Sequence, residues 1–63
     1  MRNYRCFFLN SGELVAATEL IVCENDAQAQ ERAGTLLAAS DHAGIEVWDG
    51  PWKLYRAEKP RVT

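Results

Sequence analysis

The chain has 63 residues, 48% of them hydrophobic and 25% charged, with a net charge of −2. That length allows one domain, that balance excludes a disordered chain, and no apolar run reaches the length of a membrane-spanning helix. The near-neutral charge selects no partner, although six of the seven basic residues sit near the two ends (Arg2, Arg5, Lys53, Arg56, Lys59 and Arg61) and acidic residues crowd the middle.

Tyr4 to Leu9 is rich in aromatic residues and predicts a first strand. Asn10-Ser11-Gly12 predicts a three-residue hairpin loop with Gly12 in the left-handed position. Leu9 then pairs with Glu13, and Cys6 falls opposite Ala16. The return strand, Leu14 to Cys23, carries apolar residues on both parities: Leu14, Ala16, Leu20 and Val22 on one, Val15, Ala17, Ile21 and Cys23 on the other. A strand with one wet face alternates more cleanly than this. Two explanations stay open: a bulge near Ala16-Ala17-Thr18 that shifts the parity, or cover on both faces. On this register Cys23 lies seven residues beyond the partner of Cys6, roughly 24 Å away at 3.4 Å per residue. A disulfide needs Cα atoms within about 7 Å, so both cysteines are expected as free thiols. Free thiols and the lack of a signal-peptide pattern predict a cytoplasmic protein.

Asn25 is a good N-cap, with Gln28 three positions on and Asp26 at the positive end of the helix dipole. A helix is expected from Asp26 to about Ala39, with Ala29, Ala33, Leu36 and Leu37 on one face. Gly34 on its flank costs about 1 kcal/mol relative to alanine unless close packing uses it. Asp41-His42-Ala43-Gly44 is the exit, with Gly44 either a cap or simply loop. Ile45 to Trp48 and Trp52 to Ala57 make a second hairpin around Asp49-Gly50. A two-residue loop there sets Val47 opposite Trp52, Ile45 opposite Leu54 and Glu46 opposite Lys53. Pro51 disturbs it, because proline has no N–H to close the turn. The domain therefore covers residues 1–57, with 58–63 as a flexible C-terminal tail.

The helix is long enough to carry the chain back across the sheet. The fold expected is α+β, ββαββ, with a four-stranded antiparallel sheet in the order 2-1-3-4 and one helix packed on one face. Nothing in the chain covers the other face.

No residues combine into catalytic, cofactor-binding or metal-binding chemistry. His42 is the only histidine, and Asp41 and Glu46 do not complete a metal site around it. Cys6 and Cys23 lack redox spacing and read as buried, inert thiols. Glu24 and Asp26 are explained by the helix start, and no glycine-rich loop precedes the helix to hold a phosphate. The chain does not read as an enzyme.

The aromatic residues say more. On these registers Tyr4, Cys6, Phe8, Leu14, Leu20, Val22, Ile45, Val47, Trp52 and Leu54 face the helix. Phe7, Leu9, Val15, Trp48 and Tyr55 share the uncovered face, and an apolar patch of that kind marks an interface. A domain this small gains from a partner, so a homodimer meeting through this face is expected, with Trp48 as its anchor. A heterologous protein partner is the alternative occupant. Nucleic acid is disfavoured, because strands 1 and 4 are not neighbours and the basic ends stay apart.

The string Tyr4-Arg5-Cys6-Phe7-Phe8-Leu9, a turn with Gly12, Val15-Ala16-Ala17, Cys23 followed by Asp26-Ala27 and Ala29, and Glu46-Val47-Trp48-Asp49-Gly50 resembles a group of very small uncharacterised alphaproteobacterial proteins, a domain of unknown function. The resemblance runs from Tyr4 to Arg56, and the Glu-Val-Trp-Asp-Gly string is its most specific part. The chain departs from that pattern in a shorter first turn and in Pro51. The resemblance implies a bacterial protein and brings no activity, cofactor or catalytic residue. A weaker likeness, at the level of fold alone, is to the antitoxin half of HicA/HicB-type toxin–antitoxin pairs. The function expected is a non-enzymatic interaction or structural module acting as a homodimer. A small nucleic-acid-associated or antitoxin-like regulator is the alternative.

Overall fold

A computed structural model describes residues 1–59. Four strands, β1 (Arg2–Leu9), β2 (Val15–Cys23), β3 (Gly44–Asp49) and β4 (Trp52–Glu58), form one sheet in the order β2-β1-β3-β4, every neighbouring pair antiparallel. A single helix, α1 (Asp26–Ala38), joins β2 to β3 and packs on one face. The ββαββ architecture and its strand order are those expected from the turn signals.

The first hairpin turns one residue later than its glycine suggests. Ser11-Gly12-Glu13 form the loop, closed by Asn10 N–H donating to the Leu14 carbonyl at 3.0 Å and Glu13 N–H to the Asn10 carbonyl at 2.9 Å. Glu13, not Gly12, takes the left-handed conformation, at φ 63°. The Asn10 side chain explains the choice: its Oδ1 accepts the N–H groups of Gly12 at 2.9 Å and of Leu14 at 3.2 Å. An asparagine that gathers two loop amides sets the turn from its own position. Leu9 therefore pairs with Val15, not Glu13, and Cys6 with Glu19, not Ala16.

A bulge at Ala16 follows immediately, where pairing steps from Leu9↔Val15 to Phe8↔Ala17. One extra residue reverses which side chains of β2 face the helix. Ile21 and Cys23 are buried, whereas Leu14, Leu20 and Val22, expected under the helix, are exposed. Of the two explanations for the mixed parity, the bulge is the correct one. Cys6 and Cys23 are both buried and free. Cys23 lies four positions beyond the partner of Cys6, or about 14 Å along the strand rather than 24 Å.

The helix starts as its sequence predicts. Asn25 Oδ1 accepts the N–H of Gln28 at 2.8 Å, and the Gln28 side chain returns to the N–H of Glu24 at 2.7 Å. The buried helix residues are Ala29, Ala33 and Leu37, with Leu36 partly buried beside them. Small side chains on this stripe let the helix backbone approach the sheet. The core beneath them is Tyr4, Cys6 and Phe8 from β1, Ile21 and Cys23 from β2, and Ile45 and Val47 from β3. Gly44 is not a helix cap. It opens β3, where a Cβ would lie 3.1 Å from the Ala57 carbonyl oxygen.

The second hairpin turns on Gly50-Pro51 instead of Asp49-Gly50, with Asp49 opposite Trp52 and Trp48 opposite Lys53. Gly50 has φ +57°. Proline cannot follow with a positive φ, which leaves the type II′ pattern and puts Pro51 where no closing N–H is needed. An irregularity then lets Leu54 and Tyr55 both pack on the core, and Val47 pairs with Tyr55, Glu46 with Arg56 and Ile45 with Ala57. Trp52, expected under the helix, is exposed. β4 extends through Glu58, and the Lys59 N–H donates to the Ala43 carbonyl at 2.8 Å. The remainder of the expected tail, residues 60–63, lies outside the described residues.

Candidate functional site

Among the described residues, no element packs on the sheet face opposite α1. Pairing places Phe7 on this face between Thr18 of β2 and Glu46 of β3, with Arg56 next along the same row. The adjacent row is Leu20, Arg5, Trp48 and Lys53. Phe7 and Trp48 meet edge to face with ring centroids 6.2 Å apart, a favourable geometry for an aromatic pair.

Four of the five residues expected on this face have the register for it, but they do not form one exposed patch. Phe7 and Trp48 are half-buried, and of the four only Val15 is exposed, at 57%. Leu9 is buried, at 5% exposure, against the end of the sheet where Glu13, Ala43 and Arg56 also gather. Tyr55 belongs to the other face, because the irregularity in β4 puts it opposite Val47 and against the core. Two residues join the face that were expected beneath the helix: Leu20, 67% exposed, and Val22, 53% exposed. The signal for them was present in the mixed parity of β2, which the bulge resolves.

The two halves of the face differ in character. The β2 side is apolar. The β3–β4 side is a charge network centred on Glu46, whose Oε1 accepts the Trp48 indole N–H at 3.2 Å. Its Oε2 lies 3.5 Å from Arg56 Nη1 and 3.7 Å from Lys53 Nζ. Arg56 also bonds Glu58 at 2.8 Å and reaches Glu13 in the first loop. These hydrogen bonds, Glu13 first, hold the guanidinium pKa above its ordinary value. Exposed ion pairs contribute little each, about 0–1 kcal/mol. Here their geometric effect is larger, since they tie the first loop to β4 and occupy the basic groups of this edge.

The other candidate groups resolve into structural roles. The Tyr4 hydroxyl donates to Asp26 Oδ1 at 2.7 Å, joining β1 to the helix start. Burial, then the Asp26 hydrogen bond, raises its pKa. Arg2 donates to Asp49 at 2.7 Å and lies 3.7 Å from Asp26. The His42 ring packs over Phe8, centroids 4.9 Å apart. Among the described residues, no three histidine, cysteine or carboxylate side chains converge to hold a metal ion. No described helix is long and apolar enough to cross a membrane.

Compared with protein-family models, curated proteins and solved structures, the chain finds no match.

Proposed function

We propose that the protein is a non-enzymatic interaction module that works as a cytoplasmic homodimer. One observation carries the reading: on the side of the sheet away from the helix, Val15, Leu20 and Val22 stand more than half exposed along β2, beside the half-buried Phe7 and Trp48. A small domain that leaves this much aliphatic surface in water gains stability by covering it. In a two-fold homodimer these aliphatic groups pack against the same groups of a second chain. Sedimentation equilibrium from low to high micromolar protein tests this. A dimer is expected across the range, and a monomer at high micromolar overturns the proposal.

The nucleic-acid or antitoxin-like reading has less behind it. Lys53 and Arg56 are held by Glu46, Glu13 and Glu58, Arg2 by Asp49, and the Lys59 ammonium by the Ser40 carbonyl. The groups paired with carboxylates, Arg2, Lys53 and Arg56, have less charge left to meet phosphates.

A further inference from the structure

The two edges of the sheet are protected very differently. An edge strand exposes a row of unpaired backbone N–H and C=O groups, and natural sheets guard such edges with charge, proline or shortness. β4 follows Pro51 and carries Lys53, Arg56 and Glu58. β2 is nine residues long, has no proline, and bears one charged residue, Glu19. Among the described residues its only strand neighbour is β1.

We propose that β2 of one chain pairs antiparallel with β2 of a second copy, about a two-fold axis at Leu20, to make one continuous sheet through both protomers. The proposal rests on the homodimer reading and specifies its geometry.

Glu19 and the Ala16 bulge select the register together, since only an axis at Leu20, the middle of the regular stretch from Ala17 to Cys23, pairs all of it. An axis at Glu19 would set two carboxylates directly opposite each other, which destabilises a strand pair. An axis at Thr18 would drive the Ala16 bulge of each chain against Leu20 of the other, where the ladder is interrupted. An axis at Leu20 avoids both. Glu19 then faces Ile21, Thr18 faces Val22, Ala17 faces Cys23, and Leu20 meets its own copy. Every one of these positions lies in the regular part of the strand, beyond the bulge. Thr18, Leu20 and Val22 share the open face, so the two copies join their exposed aliphatic groups in a single strip across the axis.

The partner is a second copy because this arrangement is self-complementary in backbone hydrogen bonds and in side chains, and it keeps the single charge away from itself. The charged half of the open face, around Glu46, stays in water. That is a better outcome for its ion pairs than stacking two such faces together.

Cross-linking tests the register. Directly opposed Cβ atoms in an antiparallel pair lie about 4.5–5.5 Å apart, close enough for a disulfide to form with modest adjustment. Leu20→Cys should give a covalent dimer on mild oxidation at low micromolar concentration, while Trp48→Cys should stay monomeric on a denaturing gel. In a mixture of differently labelled chains, intermolecular NOEs between Thr18 and Val22 should appear. A dimer that lacks these NOEs, or links through Trp48→Cys and not Leu20→Cys, overturns edge pairing and leaves the homodimer standing. A monomer in sedimentation removes both.

Discussion

Cys6 lies in the core with no exposed surface, and its thiol is pushed up to about 11 by burial first, with Glu19 and Cys23 adding to it. The protonated thiol is the form the fold stabilises. Its contribution is complete below the unfolded pKa near 9 and is lost as pH rises toward 11, a fall of roughly 2–3 kcal/mol. Urea midpoints measured from pH 8 to 11 should therefore drop, and Cys6→Ala should flatten the drop while lowering stability throughout. Alkylation follows the same logic. Both cysteines should resist reagent in the native protein and both should react in denaturant without reductant, as intact mass will report. Tyr4 offers a second check at this scale. Its hydroxyl donates to a carboxylate at the helix start, so Tyr4→Phe should cost about 1–2 kcal/mol in chemical denaturation.

The helix and its neighbouring strand are unequally legible from sequence, and the reasons are local. Every signal in α1 agrees: the Asn25 cap, Gln28 three residues on, and the apolar stripe that ends at Leu37. Gly34 is the exception, and a Cβ built there meets nothing within 4 Å. Gly34→Ala should accordingly raise stability by about 1 kcal/mol, whereas Asn25→Ala should lower it by a similar amount. A thermal melt of each variant decides. β2 gives no such agreement. Its first residues, Val15-Ala16-Ala17, are small and apolar on both parities, so pattern alone cannot fix which of them is extra. The turn before it misleads as well, since Gly12 is the residue suited to a left-handed conformation and Glu13 adopts it. The deciding group is the Asn10 side chain, acting on amides two and four residues away. Moving the loop by one residue shifts the pairing by two and keeps the faces; the extra residue at Ala16 is what turns Leu20 and Val22 onto the open face. The candidate surface inherits this for Leu20, while Tyr55 leaves the face for a separate reason, the irregularity in β4 that sets it opposite Val47.

For the whole molecule, strand order was legible because two turn signals and one capped helix leave few ways to close a four-stranded sheet. Charge distribution was less so, because residues distant in sequence neutralise each other only once folded, as Arg56 does with Glu13. From that neutralisation we expect no appreciable DNA or RNA binding at physiological salt in an anisotropy titration. Micromolar binding that weakens steeply with salt would instead favour the regulator reading. The bulge at Ala16 bears on assembly in a further way. Strands that meet along an edge can slide like two rulers, and an edge uniform in character has several settings of nearly equal energy. Ala16 acts as the stop on this ruler, since the regular ladder ends there and only one setting uses all of what remains. Deleting Ala16 should leave the monomer fold intact, because Leu9↔Val15 and Phe8↔Ala17 then become consecutive pairs. It should also lengthen the usable edge toward Leu14 and make more than one setting acceptable. The expected signature is a dimer that still forms but gives doubled NMR resonances along β2 and a lower Leu20→Cys cross-linking yield.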